Sequence, residues 1–191
     1  MNNLKFSHLI QTVKTSPKGV TTLYFFEVWI LDVTYDLFKA FNNSSMITKV
    51  PNLKIIRSPL HVADHCQYLI PQEQKEINIP ECSRIRISMS SLVDIQVGLD
   101  HALLIQKGCL KPVGGGLHYI DQLPVKSAIS DDKTSPDLRM TIDSSEIESL
   151  TKWFLSKEGR ELSPERELHE ELVLENPILS PAQWEVLKKT F

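Results

Sequence analysis

The chain has 191 residues, 41% of them hydrophobic and 24% charged, so it carries the apolar content of a globular protein and is not disordered throughout. With 21 basic against 24 acidic residues and a net charge of -3, it lacks the electrostatic footprint of a nucleic-acid binder. Its three cysteines, Cys66, Cys82 and Cys109, are an odd number without a CxxC pair, which argues against a disulfide framework and for a reducing, cytoplasmic setting.

The length predicts one domain plus an appendage, or two very small domains. Residues 1–17 lack the basic-then-apolar pattern of a secretory signal. Residues 20–41, VTTLYFFEVWILDVTYDLFKAF, are long enough to cross a bilayer. Glu27, Asp32 and Asp36 oppose that, at roughly 2.5 to 3.5 kcal/mol each near the middle of a spanning helix. Thr21, Thr22, Asp32, Asp36 and Lys39 fall on one side of a helical wheel, which suits an amphipathic helix on a protein core or a membrane surface. NNSS at 42–45 closes it, so residues 1–45 read as a helical segment, with a membrane anchor as the alternative. Residues 46–83, punctuated by Pro51, Pro59, Pro71 and Pro80, read as an irregular connection with two short strands at most. His61, His65, Cys66 and Cys82 there invite a zinc reading, but without a CxxC half ordinary turn and core roles are favoured.

From Arg84 the pattern changes. Residues 83–97 alternate with period two and predict a strand with one buried face, 98–100 a turn, and 101–106 the return strand. KPVGGGLHYI follows as a glycine turn after a short extended segment. Residues 121–136 read as loop and 137–142 as a strand in which Asp137 and Arg139 form a structural ion pair, with a substrate contact as the unsupported alternative. Ser144 or Ser145 caps the helix IESLTKWFLS, whose stripe of Ile147, Leu150, Phe154 and Leu155 places Trp153 and Phe154 in a core rather than against a base. Strands followed by helices predict an α+β or α/β sandwich.

The densest cluster is SPERELHEELV at 163–173. Ser163 and Pro164 start a helix, and Glu167, Glu170 and Glu171 then converge on one face while Leu168 and Leu172 bury the adjacent one. A run of Glu is ordinarily a solvated helix face; converging carboxylates are favoured when a hard divalent cation sits among them. His169 is expected to face solvent. ILSPAQWEVLKKTF closes the chain as a turn and a short helix capped at Ser180.

Together these segments resemble the Nudix hydrolase superfamily, whose box reads G-x5-E-x7-R-E-U-x-E-E-x-G-U, with U a bulky aliphatic. Glu158 is followed after seven residues by Arg166, Glu167, Leu168, His169, Glu170 and Glu171; Lys152 and Val173 stand where the pattern has glycine. The order of an RIS-type strand, HALLIQ, KPVGGGLHY, DLR, a WF helix and RE-x-SP-x-REL-x-EEL resembles more narrowly the SMODS-associated Nudix domain, which accompanies CD-NTase-type nucleotidyltransferases in bacterial antiphage systems. The resemblance implies a Nudix-like mixed sheet in an α/β/α sandwich over residues 84–191. With one turn and one short helix after the box, that sheet is expected to be incomplete or completed by a second copy of the chain.

The resemblance also implies roles. Glu167, Glu170 and Glu171 would hold Mg²⁺ or Mn²⁺ or act as base. Arg166 would pair with Glu158 by strict spacing, or with Glu161 if the box is shortened. Gly114, Gly115 and Gly116 would let the backbone approach a diphosphate. The implied activity is hydrolysis of a nucleoside diphosphate-linked compound, with a catalytically silent nucleotide sensor or interaction module of a CD-NTase system as the alternative. Members of that group often carry N-terminal membrane segments, so an inner-membrane anchor through residues 20–41 stands beside the cytoplasmic reading.

Overall fold

A computed structural model describes residues 4–33, 53–57, 83–97, 101–107, 109–175, 178–189 and 191. Its strands are β1 (Leu4–Thr15), β2 (Thr21–Val33), β3 (Leu53–Arg57), β4 (Arg84–Val97), β5 (His101–Lys107), β6 (Cys109–Gly116), β7 (Ile129–Ser130) and β8 (Arg139–Asp143). A 3-10 turn, Ser144–Glu146, leads into α1 (Ile147–Ser156); α2 (Glu165–His169) runs on into Glu170–Glu175, and α3 is Pro181–Lys188.

The helix expected over 20–41 is a strand where the structure describes it. β1 and β2 form an antiparallel hairpin, and β2 pairs in parallel with β4 from Thr22 opposite Arg86 to Val33 opposite Val97. The physical reason is burial on both faces: Leu23, Phe25, Trp29 and Leu31 are buried on one side and Thr22, Phe26 and Val28 on the other. A strand buried on both faces carries no alternation and reads as a continuous apolar run. Residues 4–33 therefore share the sheet of the later strands and are not a helical appendage. Among the described residues no helix is long and apolar enough to cross a membrane. Residues 34–45 lie outside the described ones, as does most of the connection at 46–83, including His61, His65, Cys66 and Cys82; β3 lies within it.

β4 organises the sheet. One edge is taken by β2, and the other is divided among β8 at Arg84–Ser88, β6 at Ser90–Val93 and β5 at Gln96. The sheet is thus mixed and the fold α+β. β1 and β2 extend the sheet from the N-terminal side. The three described helices pack on the face formed by the odd-numbered residues of β2 and β4. α1 sets Leu150 and Phe154 against Phe25, Ile85, Ile87 and Met89, while α2 and α3 set Leu168, Leu172, Trp184 and Leu187 against Trp29, Leu31, Val93 and Ile95. The described helices therefore supply one outer layer of the expected sandwich. As expected, Phe154 is core; Leu155, placed in the same stripe, is exposed.

Between the two clusters runs a polar seam. Glu27 of β2 lies opposite Ser91 of β4, and Ser91 opposite Gly115 of β6. Glu27 and Ser91 are buried at 2% and 0% exposure, and the apolar core is interrupted along this row.

Candidate functional site

The segment above the seam is shaped by its turns. α1 ends at Ser156, Lys157 adopts a left-handed conformation (φ 63°), and Gly159 follows at φ 70°, a region glycine enters without steric cost. Lys152, at a glycine position of the box pattern, sits exposed on α1 and pairs with Glu148. Ser163 Oγ then accepts from the Glu165 N–H at 3.4 Å, and α2 begins. At Glu170 the helix widens to i→i+5 bonding, a form often found at functional sites. Val173, at the other glycine position, lies in this wide turn and packs partly on the core. His169 does not point freely into solvent: its ring lies 5.0 Å from that of Trp184.

Arg166 is the hub. Its Nε and Nη2 donate to the two Glu161 oxygens at 2.8 and 3.0 Å, Nη1 reaches Glu170 at 2.9 Å and Glu167 at 2.8 Å, and Nη2 also donates to the Gly116 carbonyl at 2.6 Å. The pair of Glu158 with Arg166 does not form. The left-handed turn at 157–159 leaves Glu158 exposed and brings Glu161 under the guanidinium. Glu161 also accepts from the His118 N–H at 3.0 Å. Behind it, Arg160 donates to the Glu161 carbonyl at 2.7 Å, to the Phe154 carbonyl at 2.9 Å and to Glu27 at 2.6 Å. Arg160 and Glu27 are both almost fully buried, with side chains 1% and 3% exposed.

Gly114, Gly115 and Gly116 end a strand and do not form a turn. β6 pairs with β5 through Pro112 and with β4 through Gly116, so among the described strands one edge of the glycine run stays unpaired. A cleft of about 470 Å³ lies along this edge, lined by the three glycines, by Arg166, Glu167, Glu170, Glu171 and Glu175 on one side and by His118, Asp132, Ser135, Asp137 and Arg139 on the other. The structure thus brings the expected carboxylates, Arg166 and the glycines to one place. The glycines do more than admit a ligand. A Cβ on Gly115 would stand 2.1 Å from Glu167 Oε2, one on Gly116 2.4 Å from Asp137 Oδ1, and one on Gly114 (φ 140°) 2.1 Å from the Ser91 carbonyl. The missing side chains are the seats of the carboxylates.

This gives an expected result for Gly115→Ala. Stability should fall by about 1–3 kcal/mol, because the Glu167 carboxylate can swing aside, and the titration midpoint of Glu167 should leave its value near 7. Carboxyl NMR of the variant checks this, and an unmoved midpoint would show that Gly115 does not seat Glu167.

Burial raises the Glu167 pKa to about 7, the Arg166 charge opposes the rise and Glu170 adds to it. Burial alone would lower Arg166, but its hydrogen bonds to Glu161 and the charges of Glu167 and Glu161 outweigh this and hold it protonated. Nudix domains generally use divalent metals, and the donors here fit one chemically: carboxylate oxygens from Glu167, Glu170 and Glu171 beside a polar cleft suit a hard cation. Their spacing is set by Arg166, which bonds both Glu167 and Glu170 through one nitrogen. Among the described residues no three His, Cys, Asp or Glu side chains are already gathered at chelating distance.

Sequence reasoning passed over Glu27, Arg160, His118, Asp132 and Ser135. Arg160 sits inside the RE-x-SP segment, His118 inside KPVGGGLHY and Glu27 as an acid within an apolar run; Asp132 and Ser135 carried no signal. Asp137 and Arg139 do pair, with Arg139 Nε donating to Asp137 at 2.6 Å, and they also line the cleft.

No curated protein and no solved structure matches the chain. The family model of the SMODS-associated NUDIX domain matches residues 84–191, from the first residue of β4 to the end of the sequence, and so includes the glycine strand, the DLR strand, Arg166 and all three box carboxylates. That match takes in more than half of the chain, which therefore belongs to the SMODS-associated NUDIX domain family.

Proposed function

We propose that this protein is a Nudix-type hydrolase of a nucleoside diphosphate-linked compound, acting in the cytoplasm beside a CD-NTase-type system in bacterial antiphage defence. One observation carries the reading: Arg166 holds Glu167 and Glu170 at the mouth of a polar cleft whose floor is the unpaired edge of a glycine strand. Glu167, Glu170 and Glu171 would hold Mg²⁺ or Mn²⁺, which when bound makes a water nucleophilic near neutral pH and polarises phosphoryl oxygens. Arg166, held in place by Glu161, orients the carboxylates, and the glycine edge accepts the diphosphate without side-chain obstruction. Glu167, near neutrality and poorly solvated, is suited to take up a proton from the attacking water.

The test is turnover of a panel of nucleoside diphosphate-linked compounds with Mg²⁺ or Mn²⁺ by the purified full chain. Glu170→Gln should lower the rate by about 10²-fold or more. If the wild type turns over no compound with either metal, the hydrolase reading is abandoned. A second reading, a catalytically silent nucleotide sensor, is favoured by Lys152 and Val173 at the glycine positions of the box and by carboxylates spaced around a guanidinium. Calorimetric binding of a nucleotide without product formation would support it.

A further inference from the structure

The DLR motif of β8 has no role in the box, yet it forms the opposite wall of the cleft. Asp137 is 6% exposed and seated in the space Gly116 leaves; its Oδ2 accepts from Arg139, and its Oδ1 is buried with no partner. Arg139 is built differently. Its side chain is 49% exposed, lines the cleft, and is anchored through Nε and Nη2 to Asp137, while Nη1 has no partner among the described residues. A guanidinium fixed at one edge by a buried carboxylate and open at the other is set up for a planar, charge-assisted grip on a phosphate or carboxylate. It lies close enough to Glu167 to be held protonated partly by that charge, after the larger effect of the Asp137 hydrogen bond.

We propose that Arg139, positioned by Asp137, is the anion contact for a phosphate group of the substrate, gripping the diphosphate from the side of the cleft opposite Glu167, Glu170 and Glu171. This rests on the hydrolase reading for the identity of the ligand. The cleft holds more acids than bases on its walls, so a diphosphate entering it needs a cationic surface besides any metal on the box carboxylates. Arg139 supplies it from β8, with its Nε and Nη2 held by Asp137. His118 and Ser135, 3.3 Å apart on the same wall, border the position.

The probe is methylenediphosphonate, a diphosphate that cannot be hydrolysed at its bridge, titrated calorimetrically into the full chain with Mg²⁺ present. Arg139→Gln should weaken binding by about tenfold or more, the loss typical of a charge-assisted hydrogen bond, and Arg139→Lys should recover part of it. Because Arg139→Gln leaves a buried carboxylate without its cation, its fold is checked by urea denaturation; if it does not fold, Arg139→Lys, which keeps the charge and loses the fork, decides with an expected intermediate affinity. Binding by the folded Arg139→Gln, or otherwise by Arg139→Lys, equal to wild type would overturn the proposal, as would a wild type that does not bind the probe. If the wild type binds the probe in an Arg139-dependent way but turns over no nucleotide, the hydrolase reading fails and the anion contact stands.

Discussion

Replacing Arg160 by Met is expected to destabilise the protein by about 3–5 kcal/mol, the usual result of leaving one half of a buried ion pair behind. Glu27 would then be left at 3% side-chain exposure without its counter-charge, with one oxygen robbed of its donor and the other already without a partner. The carbonyls of Phe154 and Glu161 would lose their donors as well. Glu27→Leu should cost a similar amount, because the stranded charge is then the guanidinium. The double variant Glu27→Leu/Arg160→Met should cost clearly less than the sum of the two, since no unpaired charge remains; the two abandoned carbonyls keep it below wild type. Urea denaturation of the four proteins gives the coupling directly. Single variants that cost under about 1 kcal/mol would mean that the pair is not the dry, closed contact described here.

The second large effect is at Glu167, and it has a sign. Burial lifts this carboxyl from its ordinary value near 4.5 to about 7. In the metal-free protein the folded state therefore holds the proton more tightly than the unfolded chain. Between pH 4.5 and 7 the folded form binds more protons, so stability falls as pH rises through that window and stays lowered above it. Glu167→Gln removes this contribution. Relative to wild type it should lose stability's pH slope between those limits and gain at pH 8, measured by urea denaturation with chelator present. In turnover assays the same substitution should lower the rate by about 10²–10⁴-fold, because the group that accepts the proton is gone. A variant more stable and far less active places Glu167 in the chemistry; a pH slope identical to wild type would remove Glu167 as its source.

Much of the later half was legible in the sequence. Period-two stretches marked β4, the turn after it marked β5 as a return strand, Ser180 marked the start of α3 as its cap, and the spacing of Leu168 and Leu172 marked the buried side of the box helix. Glu167, Glu170, Glu171 and Arg166 were found together because a helix places them by local arithmetic. β2 was misread because burial on both faces erases the alternation that identifies a strand; its aromatic and β-branched residues, Thr21, Thr22, Tyr24, Phe25, Phe26, Val28, Trp29 and Ile30, were the available signal. The partner of Arg166 was decided by a left-handed turn at Lys157, which no propensity favours for lysine. Glu27 and Arg160 stand 133 residues apart, and no local pattern announces a contact of that span.

That long contact separates two units that are easily taken as one. The stretch shared with relatives starts at Arg84, but β4, with fourteen residues, gives a whole edge to β2, and the guanidinium behind the box finds its counter-charge at Glu27. The stretch that the family model covers and the sheet of this chain have different borders. The hairpin at 4–33 serves as internal wiring for the site: Glu27 fixes Arg160, Arg160 fixes the Glu161 backbone, and Glu161 fixes the arginine that sets the carboxylates. Loss of the acid at position 27 would therefore reach the box carboxylates through three successive contacts, although Glu27 touches none of them.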